Sequence, residues 1–283
     1  MIFEPSWTVA SADGSVIAAY ELGGTGEPLV IAHATGFCGA MYGGLADELT
    51  DTFRVVAFDF RGHGNSTAGK HIDLSWDRMA EDILAVVNHL GDTKLAGFGH
   101  SMGGGTLALA EHLRPGTFQS LFLYEPIMFP SDFPKEGQNS MAAAARRRRA
   151  TFGSRPEVLA RYAARPPLSN LRARFLLDYI DNGFAEVPEG VTLKCLPENE
   201  ARIFEEGRAL QISRLTTMMA PTVVAVGQPH EGPDPALLGP YAAKGLGNAT
   251  LRRYDHLDHF GPFEDPWTIS RDIRAHAAAC SRS

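Results

Sequence analysis

The sequence predicts an α/β fold: a mostly parallel, doubly wound sheet covered by helices on both faces, with a helical segment inserted into it. Three observations predict it. Short apolar runs alternate with helical patterns up to residue 125, strand-like runs become scarce over residues 126–215, and the strand pattern then resumes. Strand–helix–strand order of this kind needs crossover connections, which make neighbouring strands parallel and put helices on the faces.

The elements follow in order. Residues 15–22 read as a strand ending at Gly23-Gly24. Residues 29–32 and 55–58 are continuous apolar runs, the pattern of strands buried on both faces. The stretch from Trp76 to Leu90 sets Trp76, Met79, Ala80, Ile83, Val86, Val87 and Leu90 on one helical face, with Gly91 as a stop signal. Residues 95–98 form a strand, 106–113 a helix and 121–124 another strand. Helical patterns then occupy residues 141–151, 156–164, 171–181 and 198–207. Residues 222–226 and 250–254 resume the sheet, and residues 266–280 make a final helix. The division is a core of residues 1–125 and 216–283 with a helical cap of residues 126–215.

Composition narrows the function. Hydrophobic residues are 44% and charged residues 21% of 283, an ordinary globular balance, and a chain this long can bury a full core without disulfides or metals. The formal charge of −7 argues against nucleic acid as a partner, because phosphate neutralisation takes clustered cations. Cys38, Cys195 and Cys280 are far apart and odd in number, with neither metal-ligand spacing nor a disulfide framework, which fits a reducing compartment. The polar N-terminal residues, with Glu4 and Asp13, hold no signal-peptide core, and no run approaches the ~18 apolar residues that span a bilayer. A cytoplasmic protein with no membrane partner is the expectation; the oligomeric state stays open.

The chemistry centres on Gly99-His100-Ser101-Met102-Gly103, placed directly after a strand and before a helix. A serine hydroxyl is a weak nucleophile unless exposed, aligned and paired with a base. Flanking glycines permit a turn too tight for side chains and hold the serine at the strand end, beside the positive N-terminus of the next helix.

Here the chain resembles the α/β-hydrolase superfamily over nearly its whole length. His33-Ala34-Thr35-Gly36-Phe37 is similar to the family's oxyanion segment, Asp59-Phe60-Arg61-Gly62-His63-Gly64-Asn65-Ser66 to its Asp-x-Arg-Gly-x-Gly-x-Ser loop, and the serine turn to its nucleophile elbow. The family's helical cap, inserted after the sixth strand, coincides with residues 126–215. The resemblance implies an oxyanion hole made by the backbone N–H groups of Met102 and Thr35. Ala34 stands where the family usually has glycine.

The base lies in Tyr254-Asp255-His256-Leu257-Asp258-His259-Phe260-Gly261-Pro262. The family's histidine precedes Phe, a turn, an acidic residue and Pro; His259-Phe260 followed by Glu264-Asp265-Pro266 fits, which favours His259 over His256. No His-x-His pair is available to complete a dinuclear metal site, so no metal and no cofactor are expected. Three carboxylates compete to orient the histidine. Glu125 ends the strand at 121–124, one helix and one strand beyond Ser101, and a carboxylate leaving a buried strand needs a partner. Glu231 and Asp234 follow the strand at 222–226, the family's commonest location. Glu125 leads, with Glu231 the first alternative.

Asp59, Arg61, His63 and Ser66 read as structural residues of their loop, and His100 as packing under the elbow. The cap carries 14 Lys and Arg against 11 Asp and Glu, including Arg146-Arg147-Arg148-Arg149. On a helix four consecutive residues point in divergent directions, so a solvated helix is preferred to an anionic-substrate site. The cap's Phe129, Phe133, Phe152, Tyr162, Phe175, Leu176, Tyr179 and Phe184 are candidates to line a hydrophobic acyl pocket. The function expected is hydrolysis of a carboxylic ester or lactone with a small-molecule apolar acyl group, through an acyl-enzyme on Ser101. A thioesterase, a carbon–carbon bond hydrolase, a cofactor-free perhydrolase or a slow-turnover ligand-binding sensor are the alternatives.

Overall fold

The computed structural model describes residues 2–67, 72–91, 94–134, 137–230 and 234–282. Eight strands form the main sheet: β1 (Trp7–Ala10), β2 (Val16–Gly23), β3 (Glu27–Ala32), β4 (Phe53–Phe58), β5 (Ala96–His100), β6 (Ser120–Tyr124), β10 (Thr222–Val226) and β11 (Ala249–Arg253), in the order β1-β2-β4-β3-β5-β6-β10-β11. β1 and β2 are antiparallel to their neighbours; every pairing from β4 to β11 is parallel. The runs of continuous apolar sequence are the central strands, with Leu29–Ala32 and Val55–Phe58 fully buried.

Helices cover both faces. α2 (Trp76–Leu90), α3 (Met102–Leu113) and α8 (Gly239–Gly245) pack on one core cluster with Ile83, Val86, Leu107 and Val224. α1 (Gly43–Asp47), α9 (Gly261–Glu264) and α10 (Pro266–Cys280) lie on the other, with Leu45, Phe98, Phe263 and Ile273. Of the apolar stripe read for α2, Trp76, Met79, Ala80, Ile83, Val86 and Val87 are buried, and Leu90 at its end is half-buried.

Between β6 and β10 the chain leaves the sheet. It makes α4 (Ser140–Arg146), α5 (Arg155–Tyr162), α6 (Ala173–Asn182) and α7 (Pro197–Glu206), and also a small antiparallel sheet of β7 (Thr151–Phe152), β9 (Gly190–Leu193) and β8 (Phe184–Val187). The cap is therefore not purely helical. Its strands are two to four residues long, too short for an alternating pattern to stand out. The helix expected over residues 141–151 stops at Arg146, because Thr151 and Phe152 pair with Thr192 and Val191 and Leu193 N–H donates to Ala150 O at 3.0 Å. Tertiary pairing overrides the helix preference of the Ala and Arg run.

Candidate active site

The sheet is wound outward from β3 to β4 and then back across β3 to β5, which makes the β3/β5 border a switch point. Loops leaving adjacent parallel strands diverge there and open a crevice at their carboxyl ends. β3 delivers His33 to Phe37 to that border, β5 delivers Ser101, β6 delivers Glu125, and the loop after β11 delivers His259.

Ser101 sits between β5 and α3 at φ 57° and ψ −116°. Its N–H donates to Tyr124 O (2.9 Å), and its carbonyl accepts from the N–H groups of Gly104, Gly105 and Ile127. A Cβ on Gly103 would fall 2.0 Å from Ala32 O, so the helix can start this close to β3 only with glycine there. Ser101 is 6% exposed, and its hydroxyl makes no hydrogen bond to another described residue. A non-glycine residue in this region costs on the order of 1–3 kcal/mol and persists only where its surroundings enforce it.

One other described non-glycine residue has positive φ, and it is Glu125, at 43°. Its side chain is fully buried, with Oε1 accepting from Gly227 N–H (2.8 Å) and Oε2 from His259 Nδ1–H (2.6 Å). A carboxylate only accepts, so Nδ1 carries a proton, and in the neutral ring Nε2, on the side away from Glu125, is the basic nitrogen. The His259 side chain is 23% exposed. Its carbonyl accepts from His100 Nε2–H at 2.7 Å, which holds the histidine loop against the residue preceding Ser101, the two rings 5.0 Å apart. His100 Nδ1 accepts from the Tyr42 hydroxyl (2.8 Å), which accepts in turn from Ala34 N–H (3.1 Å). Burial holds the His100 imidazole well below its ordinary pKa, so it is neutral.

The loop after β3 rests on two more neutral histidines. His33 Nδ1–H donates to Ala34 O (2.8 Å) and its Nε2 accepts from Phe60 N–H (3.0 Å). Since a trans peptide points C=O and N–H in opposite directions, fixing Ala34 O aims Thr35 N–H away from it. His63 Nε2 accepts from Gly36 N–H at 3.1 Å. Burial pushes His33 down to about 4 and His63 down to about 3. Among the described residues, neither Thr35 N–H nor Met102 N–H has a hydrogen-bond acceptor.

The model of the alpha/beta hydrolase fold family matches residues 27–266, most of the chain. The chain belongs to the α/β-hydrolase fold family. Among curated relatives it is similar to a probable protein phosphatase methylesterase 1 of Caenorhabditis elegans, 36% identical over 108 residues, 36% of this chain and 29% of the relative. A bifunctional esterase/perhydrolase of Acinetobacter calcoaceticus is 47% identical over 62 residues, 21% of each chain. The chain thus spans less than a third of the length of these two relatives. Among solved structures, E-2-(acetamidomethylene)succinate hydrolase superposes with a TM-score of 0.79 at 19% identity, covering 96% of this chain and 98% of that one. A malate-bound esterase from Thermogutta terrifontis superposes at 0.72 with 23% identity, covering 97% and 98%. At these identities the likeness is one of fold.

Within this hydrolase fold the remaining sequence candidates find scaffold positions. Asp59 accepts from the Tyr20 hydroxyl and the N–H groups of Gly39 and Asn65, and Ser66 donates to Asp59 O. Arg61 is fully buried between Asp82 (2.6 Å) and Asp13 (2.6 Å). His256 is largely exposed, 3.5 Å from Asp265. Asp234 accepts from Ala236 N–H and His230 N–H in a local turn, and Glu231 lies outside the described residues. No group of three or more His, Cys, Asp or Glu among the described residues could hold a metal ion, and no described helix is long and apolar enough to cross a membrane.

The arginine run diverges, although not as successive helical positions. Arg146 faces outward between Glu198 and Glu205, Arg149 pairs with Glu157 over the Phe152 ring, and Arg147 is exposed. Arg148 turns inward to Glu200, Tyr162 and Tyr179. Of the cap aromatics, Phe152, Phe175, Tyr179 and Phe184 are buried in a shared core, while Phe129 and Phe133 stack on each other. Phe260, partly buried, lies against the His259 ring, and the partly buried Phe37 lies against Phe260. His100, read from the sequence as packing under the elbow, is buried there, but its hydrogen bonds and the supporting roles of His33 and Tyr42 were missed. His33 and His100 lie inside the quoted motifs, so their position was a signal; nothing in the sequence marks Tyr42.

Proposed function

We propose that this chain is a serine hydrolase that cleaves a carboxylic ester or lactone through an acyl-enzyme on Ser101. One observation carries the reading: the two strained non-glycine residues, Ser101 and Glu125, stand at the ends of adjacent parallel strands, and Glu125 holds His259 by Nδ1, which turns Nε2 away from the carboxylate. In this scheme His259 Nε2 takes the Ser101 proton as the hydroxyl oxygen bonds to the carbonyl carbon. The N–H groups of Thr35 and Met102 receive the oxyanion, and Glu125 steadies the imidazolium. Collapse expels the alcohol, which leaves with the proton from His259. Water then adds to the acyl-enzyme by the same route and releases the acid.

Phe260 beside His259, with Phe37 against it, favours a small-molecule substrate with an apolar acyl group. Three free thiols favour a reducing, cytoplasmic setting. One second reading has a specific support. The likeness to an esterase/perhydrolase fits deacylation by hydrogen peroxide, whose terminal oxygen would bond to the acyl carbon to give a peracid.

The experiment is labelling with a fluorophosphonate probe and peptide mass spectrometry, alongside turnover of p-nitrophenyl acetate by wild type and Ser101→Ala, with and without hydrogen peroxide. An adduct on Ser101 and loss of turnover in Ser101→Ala are expected. Ester cleavage that survives Ser101→Ala rules the reading out. Peracid formed in place of acetate selects the second reading.

A further inference from the structure

The cap meets the oxyanion loop at Gly36 and at Phe37, whose ring packs edge-on against Tyr179 of α6 with centroids 5.1 Å apart. Side chains from several cap segments gather around Gly36. The Tyr179 hydroxyl of α6 donates to Gly36 O at 3.1 Å. Arg148, just past α4, donates through Nη2 to the hydroxyls of Tyr179 (3.0 Å) and Tyr162 at the end of α5 (3.3 Å), and pairs through Nη1 with Glu200 of α7. Gly36 has φ +78°, and a Cβ there would be 2.7 Å from Glu200 Oε1, so the cap carboxylate packs against the loop itself.

The sense of these bonds is fixed. A guanidinium only donates and a carbonyl only accepts, so the Tyr179 hydroxyl must accept from Arg148 and donate to Gly36 O. Burial pushes the Tyr179 phenol upward, which keeps that proton in place. Gly36 is then held from both sides, its N–H by His63 in the core and its C=O by Tyr179 in the cap. The Arg148 charge is matched by Glu200 and its Nη2 by two hydroxyls, which is the bonding of a brace and leaves no free charge for a substrate carboxylate.

We propose that Tyr179, Arg148 and Glu200 are positioning residues through which the cap fixes the oxyanion loop, so that Thr35 N–H is held on the reacting oxygen. This rests on the reading of Thr35 as an oxyanion donor. Site geometry has to be held to about 0.5 Å by supporting side chains for full rate.

The test uses the full chain as wild type, Tyr179→Phe, Arg148→Lys and, as a control with an exposed side chain, Arg147→Ala. Turnover of p-nitrophenyl acetate is measured with inhibition by a trifluoromethyl ketone, which adds Ser101 Oγ to its carbonyl and places an alkoxide in the hole. Removing an oxyanion donor outright costs about 100- to 1,000-fold in kcat, so loosening one through Tyr179→Phe is expected to cost roughly tenfold, with KM within about twofold. Trifluoromethyl ketone affinity should fall by the same factor as kcat, and Arg147→Ala should match wild type. Arg148→Lys keeps the charge but cannot hold two hydroxyls in a planar fork, so it should repeat the pattern and provide the test if Tyr179→Phe fails to fold. Unchanged kcat in both variants overturns the proposal. So does a rise in KM confined to acidic acyl esters at constant kcat, which would make Arg148 a substrate anchor. Failure of the underlying serine reading looks different: Ser101 would stay unlabelled in every variant.

Discussion

The core and the cap hold their polar groups in opposite ways. In the core, Arg61, Asp82 and Glu125 have fully buried side chains, and His33, His63 and His100 are neutral, each with both ring nitrogens engaged. In the cap, Arg146, Arg149 and Arg155 meet Glu198, Glu205, Glu157 and Glu186 where at least one partner is well exposed. Buried groups are costly to leave unpaired, whereas exposed pairs contribute little. The difference teaches where function can be placed: the strained and desolvated groups stand on rigid strands, and the proposed route from the cap to them runs through the buried cluster of Arg148, Tyr179 and Glu200 on Gly36.

The largest expected effects test the core half of that contrast. On the proposed serine mechanism, Ser101→Ala should lower ester turnover by at least about a thousandfold with the thermal midpoint nearly unchanged, since the loss would be of a nucleophile and not of packing. Glu125→Ala should cost about 100- to 10,000-fold in kcat, because the imidazole loses both its tautomer partner and its countercharge. If Glu125→Ala keeps its activity, the carboxylate serves the β6 exit alone and another acid orients His259. Arg61→Ala has no catalytic term but should destabilise by about 3–5 kcal/mol in urea unfolding, because Asp82 would remain buried without its partner.

Legibility follows the same division. The central strands carry continuous apolar runs, and α2 carries a helical stripe, so pattern alone places them. β1 escaped because its four residues alternate only between intermediate and exposed. β7, β8 and β9 escaped because their pairing is set by tertiary contact. Within the site, Ser101 and His259 stand in motifs whose local order is fixed by the turn they make. Glu125 was one of three carboxylates, because orienting a histidine imposes no sequence spacing; only the sheet order, which sets β6 beside β10, brings it to Gly227 and His259. The Arg148 brace was hidden for the same reason, since its partners lie 14, 31 and 52 residues away.

An intermediate effect should appear in the pH dependence of stability. Burial holds His33 at about 4 and His63 at about 3 in the folded chain, and His100 lower than its ordinary value, against 6.5 when exposed. The unfolded chain therefore binds more protons below pH 6.5, so the stability these groups contribute is complete above that pH. It is lost progressively as pH falls toward 4 and 3. Asp59 is the charged group facing His63, and His33 is the titratable one. At about 1.4 kcal/mol per pH unit, His33 alone accounts for on the order of 3 kcal/mol. Urea unfolding from pH 8 to pH 5 should show the fall beginning near 6.5, with a smaller slope in His63→Gln. A flat curve over that span would mean that the imidazoles accept protons in place.

The smallest expected effect probes the cap surface. Arg146 makes four hydrogen bonds to Glu198 and Glu205, the densest ion pairing in the arginine run. All three side chains are well exposed, at 39%, 61% and 45%, so water and salt screen the attraction and ordering three long chains opposes it. Arg146→Ala should therefore move the thermal midpoint by no more than about 3 °C and leave kcat unchanged. Adding salt should erase what difference there is. A larger shift that survives salt would mean that α4 is held to α7 by this pair and not by Ala142, Ala145 and Ala201, which pack between the two helices. In that case the cap would depend on its surface charges as the core depends on its buried ones, and the contrast between them would fail.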